Sequence, residues 1–326
     1  MTPPFLWAGA PVWQEEVDAL EAHRSNVLHD KDIAMEKVAW LGLGVMGFPM
    51  AGHLSVRGSH EVTVFNRTAA KAGAWVAAHA GGSAAATPAD AACDAAFVFA
   101  CVGNDDDLRA VTTGPNGAFQ SMKRGAIFVD HTTSSATVAR ELAAAAAAKG
   151  LAFLDCPVSG GEAGAKAGTL TVMAGGDKEA FQKAEPVIQS YARMIRHMGS
   201  PGSGQLAKMA NQIAVAGVVQ GLAEAIHFGE CAGLDIELLI SAISHGAAQS
   251  WQMENRWKTM HARQFDFGFA VDWMRKDLGI CQEEAAGNGA ELPMVALVDK
   301  FYDEIQGLGG NRWDTSSLIA RLGRKA

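Results

Sequence analysis

Residues 38–50 read VAWLGLGVMGFPM, an apolar run that enters Gly42-Leu43-Gly44-Val45-Met46-Gly47 and leaves it in helical periodicity. Val38, Trp40 and Leu41 supply a strand, while Met46, Met50, Ala51 and Leu54 form one helical stripe beyond the glycines. The three glycines serve different ends. Gly42 permits a tight turn out of the strand, Gly44 lets backbone N–H groups approach a phosphate, and Gly47 lets the helix pack closely on the strand. A helix start placed there offers orphan N–H donors and the positive end of its dipole to an anion. The stretch predicts a strand, turn and helix that hold the pyrophosphate of a dinucleotide.

One GxGxxG is a weak signal in a chain with 36 glycines, so the context has to carry it. Glu61–Phe65 (EVTVF) reads as a second strand, and the position after it is where a carboxylate would hold the ribose 2′-OH of NAD. Asn66, Arg67 and Thr68 stand there instead. A carboxylate repels a 2′-phosphate, whereas a guanidinium pairs with one through charge-assisted hydrogen bonds. NADP(H) is the expected cofactor, with NAD(H) accepted. The alternative for Arg67 is a solvated loop cation.

Beyond the glycines, short apolar runs alternate with alanine-rich helical stretches. Strands are expected at Ala95–Cys101, Ala126–Asp130, Leu151–Asp155, Thr169–Ala174 and Arg193–His197. Helices are expected at Ala69–His79, Asp105–Val111, Ser135–Lys149 and Lys178–Tyr191. That alternation predicts an α/β domain over 36–199, a doubly wound, Rossmann-type parallel sheet covered on both faces. Residues 199–204, GSPGSG, are a breaker cluster, and the pattern changes beyond them. Gln205–Leu234 predicts one long helix, followed by helices at Ile236–Ser244, Met253–Thr259, Ala270–Gly287, Met294–Gln306 and Ser316–Leu322. Residues 200–326 thus read as an all-α domain, its long helix buried between domains or subunits. A homodimer or homotetramer is expected.

Composition sets limits on function. The 326 residues suffice for two domains, and 49% hydrophobic with 19% charged residues is ordinary globular composition. A net charge of −8 with no basic cluster speaks against nucleic acid. Ile213–Ile226 is interrupted by Gln220 and Glu224, too polar and short to span a bilayer. Five dispersed cysteines without a CxxC pair suit reduced thiols in the cytoplasm, and ten histidines without ligand spacing predict no metal. Residues 1–34 lack the pattern of a signal peptide and read as an extension, helical in part over Gln14–Leu28, with Met35 a candidate start.

Ligands of doubly wound sheets sit at the carboxyl ends of the strands. Three loops qualify: Cys101–Asp107 (CVGNDDD), Asp130–Ser135 (DHTTSS) and Asp155–Gly161 (DCPVSGG). Gly103 allows close approach to a cofactor, and the acidic triplet reads better as helix capping than as a metal cluster. Asp130–Ser135 carries more hydroxyls than a cap requires. Ser159 with backbone N–H groups at Gly160 and Gly161 suits a small carboxylate. A fourth element, Gly202–Gln212 (GSGQLAKMANQ), places Lys208 in the first turns of the long helix with Gln205, Asn211 and Gln212 on the same face. The helix dipole and partial burial would lower the Lys208 pKa toward a range useful for donating a proton. Taken alone, Lys208 reads more readily as a surface lysine, and its polar neighbours on an otherwise apolar helix shift that balance.

These motifs resemble those of the β-hydroxyacid dehydrogenase family, which covers 3-hydroxyisobutyrate dehydrogenase, tartronate semialdehyde reductase and the glyoxylate reductases. GLGVMGFPMAGHL, DCPVSGGEAGAKAGTLTVMAGG, GSGQLAKMANQ and WMRKDLGICQEEA occur in the family's order and spacing, and the likeness covers nearly everything from Glu36 to Leu322. The resemblance implies that Lys208 is the catalytic lysine and that Ser159, Gly160 and Gly161 bind the substrate carboxylate. It places Val102, Gly103 and Thr133 beside the nicotinamide ribose, Lys276 over the cofactor, and Phe269 and Asp277 near the substrate. Asp107 stands where the dehydrogenases often have asparagine, and Asn211-Gln212 replaces the frequent Asn-Asn pair, which is more like the tartronate semialdehyde reductases. The expected reaction is reduction by NADPH of a small carboxylate-bearing semialdehyde to its 3-hydroxyacid, with Lys208 giving the proton. Glyoxylate or succinic semialdehyde reduction is the near alternative. A non-catalytic NADP-binding module and an imine reductase or 6-phosphogluconate-type enzyme are the distant ones.

Overall fold

The structure, a computed structural model, describes residues 35–323. The expectations for residues 1–34 fall outside the described residues.

β1 (Lys37–Leu41), β2 (Glu61–Phe65), β3 (Ser83–Ala84), β4 (Phe97–Ala100), β5 (Ile127–Asp130) and β6 (Ala152–Asp155) lie side by side and parallel, in the order β3-β2-β1-β4-β5-β6. That is the strand order of a dinucleotide-binding sheet, with its switch point between β1 and β4. Alternate side chains of β1 divide between two cores. Val38 and Trp40 join Met50, Leu54, Val64 and Phe99 on one face; Ala39 and Leu41 join Leu108, Phe128 and Leu142 on the other. A strand buried on both sides reads as an unbroken apolar run, which is why VAWL shows no alternation.

The doubly wound sheet is parallel-dominated, with antiparallel pairing beyond β6 that the sequence pattern did not distinguish. The sheet continues through β8 (Leu170–Gly176) and β9 (Ala192–Gly199), but β8 pairs antiparallel with β6 and with the two-residue β7 (Val158–Ser159). A parallel partner needs a crossover of roughly a dozen residues or more, normally a helix laid across the sheet. Here the chain between β6 and β8 goes instead into β7 and the short α6 (Gly161–Ala167), so it turns back. The helices covering the sheet are α1 (Gly47–Val56), α2 (Ala69–Ala78), α3 (Pro88–Ala92), α4 (Asp105–Thr112), α5 (Ala136–Ala148) and α7 (Lys178–Ile188).

Beyond the sheet every element is helical. α8 (Ser203–Cys231) has 29 residues, roughly 43 Å of helix at 1.5 Å per residue. It is followed by α9 (Ile236–Ile243), α10 (Trp251–His261), α11 (Val271–Asn288) and α12 (Pro293–Gly307). Ala216, Val219, Ala223 and Ile226 of α8 form a third core with Val271, Met274 and Leu278 of α11 and Val295, Val298 and Tyr302 of α12. Burying each of the larger side chains is worth about 1.5–3 kcal/mol. Arg275 ties α11 to α12 through Asp299 at 3.0 Å and Asp303 at 2.6 Å. The last segment, Thr315–Arg321, is a 3-10 helix rather than the expected α-helix. Asp314 accepts from both the backbone N and Oγ of Ser316 and tightens that turn. Val218 lies on an exposed face of α8 in the single chain.

Candidate active site

The glycine loop leaves β1 as its sequence predicts. Gly42 has φ +99°, and a Cβ there would collide with the Cys101 carbonyl at the end of β4. A Cβ on Gly47 would run into the Gly42 carbonyl and lie 2.8 Å from Trp40 Nε1, which itself donates to Gly42 O at 2.9 Å. Gly44 differs, because a Cβ there would meet nothing within 4 Å. Two of the glycines are thus required by the loop's own packing, and the third faces open space next to the start of α1. That is the shape of a cradle for a diphosphate, and the residues fit a dinucleotide. Leu43 N donates to Asn66 Oδ1 at 2.9 Å, which ties the loop to the end of β2. Val45 is exposed and Met46 precedes the helix. Asn66 also donates to the Thr68 carbonyl at 3.1 Å.

Arg67, 86% exposed, reaches Asp107 on α4 at 3.0 Å. Both residues therefore stand at the mouth of the cleft, the guanidinium engaged with a carboxylate that sequence reasoning did not connect to it. The rest of the acidic triplet does not cap α4 as expected, and Asp106 pairs with Arg109 at 3.2 Å. Asn104, not an aspartate, caps α4 by accepting from Asp107 N at 2.9 Å, while Asp105 accepts from Ser135 N at 3.0 Å and stitches α4 to α5.

The hydroxyls of Asp130–Ser135 are mostly consumed by structure. Thr132 Oγ1 accepts from Val102 N at 3.0 Å, Ser135 Oγ caps α5 at Val138 N at 3.0 Å, and Ser134 Oγ lies 3.5 Å from Asp130. His131 is buried between the Cys156 carbonyl and the Tyr191 hydroxyl, at 2.6 and 2.8 Å. Burial holds its pKa down at about 4, so the ring is neutral. Only Thr133 keeps its side chain uncommitted to a cap or strand end, and its carbonyl accepts from Lys276 Nζ.

Lys208 stands in the second turn of α8, 8% exposed. Burial pushes its pKa below the ordinary lysine range, Asp277 pulls it back up, and Lys276 pushes it down again. Asp277, 2% exposed, lies 3.1 Å from Lys276 and accepts from Gln212 Nε2 at 2.7 Å; Gln212 in turn accepts from Asn211 at 2.9 Å. Lys276 Nζ also reaches the Gly103 carbonyl at 3.3 Å. Lys276 therefore joins α11 to the ends of β4 and β5, and through Asp277, Gln212 and Asn211 it is linked to the start of α8. Such a buried ammonium, under the opposed influence of one carboxylate and a second cation, is equipped to give up a proton.

Ser159 closes β7 opposite Thr171. Gly160 and Gly161 follow with φ +126° and +60°, a backbone that glycine adopts without strain, and lead into the start of α6. Phe269 is partly exposed just before α11, its N–H bonded to Asp314 at 2.9 Å. Sequence reasoning gave Trp273 no role, and it noted Asp155 and Gln205 only as members of a candidate loop and of the Lys208 face. The Trp273 ring would lie 3.3 Å from a Cβ on Gly103 and stacks near Lys276 Nζ at 5.8 Å. Asp155 and Gln205, both fully buried, fasten the start of α8 to the sheet. Helical spacing placed Gln205 on the face of Lys208 but could not show its bonds to the sheet, and nothing in the sequence pointed to a contact of Trp273.

A doubly wound sheet with a phosphate cradle at its switch point, faced by a buried lysine from a following helical domain, defines a nicotinamide-dependent oxidoreductase. Residues 37–199 match the NAD-binding domain model of 6-phosphogluconate dehydrogenase, and residues 202–322 match the model described as NAD-binding of NADP-dependent 3-hydroxyisobutyrate dehydrogenase. An uncharacterized oxidoreductase of Shewanella frigidimarina is 62% identical over 288 residues, 88% of this chain and 98% of that protein. A probable 3-hydroxyisobutyrate dehydrogenase-like protein of Arabidopsis thaliana is 39% identical over 88% of this chain and 85% of its own length. Among solved structures, a 3-hydroxyisobutyrate dehydrogenase of Mycobacterium tuberculosis, described with L-serine, matches with a TM-score of 0.80 at 32% identity, covering 89% of this chain and all (100%) of that one. The chain belongs to the β-hydroxyacid dehydrogenase family, NAD(P)-dependent enzymes acting on CH–OH groups. Among the described residues no helix is long and apolar enough to cross a membrane.

Proposed function

We propose that the protein reduces a small carboxylate-bearing semialdehyde to its 3-hydroxyacid with NADPH, and runs the reverse oxidation at high pH. The observation that carries this reading is the buried Lys208 in the field of Asp277, near strand ends already bridged by Lys276. Bound NADPH supplies a hydride to the carbonyl carbon. Gly42, Leu43, Gly44, Val45, Met46 and Gly47 hold the diphosphate, and Asn66, Arg67 and Thr68 receive the adenosine ribose, where Arg67 exchanges Asp107 for the 2′-phosphate. Val102, Gly103, Thr133 and Lys276 flank the nicotinamide end. Ser159, Gly160 and Gly161 bind the substrate carboxylate and so direct the aldehyde toward α8. Lys208 protonates the developing alkoxide, while Asn211, Gln212 and Asp277 hold the lysine in line and Phe269 closes the pocket.

The partners proposed are the small substrate and a second copy of the chain, since Phe228, Leu238 and Leu297 leave apolar surface exposed. The cytoplasm suits Cys93, Cys101, Cys156, Cys231 and Cys281, which are all free thiols. The oxidation of a β-hydroxy amino acid such as L-serine, the ligand of the mycobacterial relative, is the second reading, because the same loop and lysine suit a substrate with a carboxylate and a CH₂OH group. Steady-state kcat/KM for tartronate, methylmalonate and succinic semialdehydes, glyoxylate and L-serine, each with both nicotinamide cofactors, tests the assignment. A preference for L-serine oxidation with NAD would overturn the first reading.

A further inference from the structure

The segment before α8, GSPGSG at 199–204, has the composition of a hinge. Its packing is the opposite of one. Asp155 at the end of β6 is fully buried, and its carboxylate accepts from Gly202 N at 2.8 Å through Oδ1 and from Gln205 N at 2.9 Å through Oδ2. A Cβ on Gly204 would overlap the Asp155 carbonyl and lie 2.5 Å from the Met173 carbonyl. A Cβ on Gly175 would lie 2.5 Å from Asp155 Oδ1 and 2.7 Å from Gly204 N. The glycines are there so that the helix start can touch the sheet. Gln205, also fully buried, uses the rest of its polar atoms on the neighbouring strand end: Nε2 donates to the Thr132 carbonyl at 2.7 Å and Oε1 accepts from Ser134 N at 3.1 Å.

The first turn of α8 is therefore fastened to two strand ends at once, to β6 through Asp155 and to β5 through Gln205. Lys208 follows Gln205 by three residues, one turn up on the same face. We propose that Asp155 and Gln205 are positioning residues that fix the height and direction of Lys208 over the strand ends, so that the junction between sheet and helices is a rivet and not a hinge. The proposal rests on the reading of Lys208 as proton donor. Helix capping accounts for the two bonds to Asp155, but not for the Gln205 side chain, which satisfies β5 rather than its own helix. A stabilising role alone would change the melting temperature and leave the environment of Lys208 as it is.

The charged groups facing Lys208 are Asp277 and Lys276, both on α11, and its pKa is held down mainly by burial. Loosening the rivet admits water to the ammonium and returns its titration toward the ordinary lysine range. Competitive acetylation of the full-length protein as a function of pH, read by peptide mass spectrometry, follows this directly, with exposed Lys71 and Lys183 as internal references. In Gln205→Met and Asp155→Asn, Lys208 should label at least several-fold faster and titrate at higher pH while the references do not move. With the best semialdehyde, kcat should fall about tenfold or more, the Kd for NADPH staying within twofold. An unchanged Lys208 titration in both variants, whatever the melting temperature does, overturns the proposal. If Asp155→Asn does not fold, Gly175→Ala presses a methyl on the same carboxylate and Gln205→Met keeps the side-chain volume. A wild-type protein that reduces no semialdehyde would sink the proposed function, while the labelling still decides the role of Asp155 and Gln205.

Discussion

The two walls of the cleft are built on different principles. The glycine wall, residues 42–47, works through what it lacks: side chains are absent, so backbone meets backbone at Gly42 and Gly47 and open space remains at Gly44. The α8 wall works through what it hides. Lys208, Gln205, Gln212 and Asp277 are all less than a tenth exposed, and the last three each bond to a partner on another element. The first wall is local geometry; the second exists only after α8, α11 and two strand ends have packed together. Water-exposed backbone suits a ligand that brings its own negative charge. A buried ammonium suits a step in which a proton must leave at the right moment.

The contrast predicts unequal responses to substitution. Lys208→Ala should lower kcat by ~10²-fold or more, the scale of lost general acid catalysis, with NADPH binding within twofold of wild type. Near-normal turnover in that variant would break the division of labour between the walls. On the glycine side, Gly44→Ala should keep its melting temperature yet weaken NADPH binding by roughly tenfold or more, because its methyl occupies the open space of the cradle. Gly47→Ala should instead unfold more easily, by ~1–3 kcal/mol as an overpacking cost, since its methyl meets the Gly42 carbonyl. Chemical denaturation alongside a binding titration separates the two. Equal losses of stability in both variants would mean that Gly44 is also a packing glycine.

This difference also decides what could be read from the sequence. Gly42, Gly47 and the strand VAWL were legible because the constraint acts within a few residues, and β2 and α1 followed with them. Lys208, Asn211 and Gln212 were legible only as a polar stripe on an apolar helix. Their meaning depends on Asp277 and Lys276, more than sixty positions away in the chain. The hydroxyls of Asp130–Ser135 looked available for a ligand and are mostly structural, because the need of Val102 N and Val138 N for acceptors is invisible before the chain packs. The antiparallel β8 was missed for the same reason: its apolar composition suits either direction, and pairing with β6 and β7 is a tertiary fact.

Arg67 stands between the two principles, a charged side chain on the glycine wall. The guanidinium that pairs with Asp107 is almost wholly in water, so by itself the pair adds little stability. A 2′-phosphate offers the guanidinium a dianion, where charge-assisted bonds are worth about 1.5–3 kcal/mol. Arg67→Ala should therefore reduce kcat/KM for NADPH by roughly tenfold or more on that scale and leave NADH nearly untouched. Equal kcat/KM for the two cofactors in the wild-type protein would remove Arg67 from cofactor selection.

The smallest effect at neutral pH belongs to Asp277, and it sharpens the contrast most. Asp277 raises the pKa of Lys208 against the lowering effects of burial and of Lys276. A general acid must carry its proton, so the rate of reduction is constant below the Lys208 pKa and falls above it. Asp277→Asn keeps the shape and an acceptor for Gln212 but removes the negative charge, which lowers the pKa of Lys208 further. The alkaline limb of the kcat profile should then move to lower pH, with kcat little changed on the acidic plateau, where the lysine is protonated in both proteins. Loosening the start of α8 moves the same limb the other way, because water rather than charge is what changes there. A limb that moved upward in Asp277→Asn would mean that the carboxylate acts on Lys208 by excluding water and not by its charge, and the α8 wall would then work by packing, as the glycine wall does.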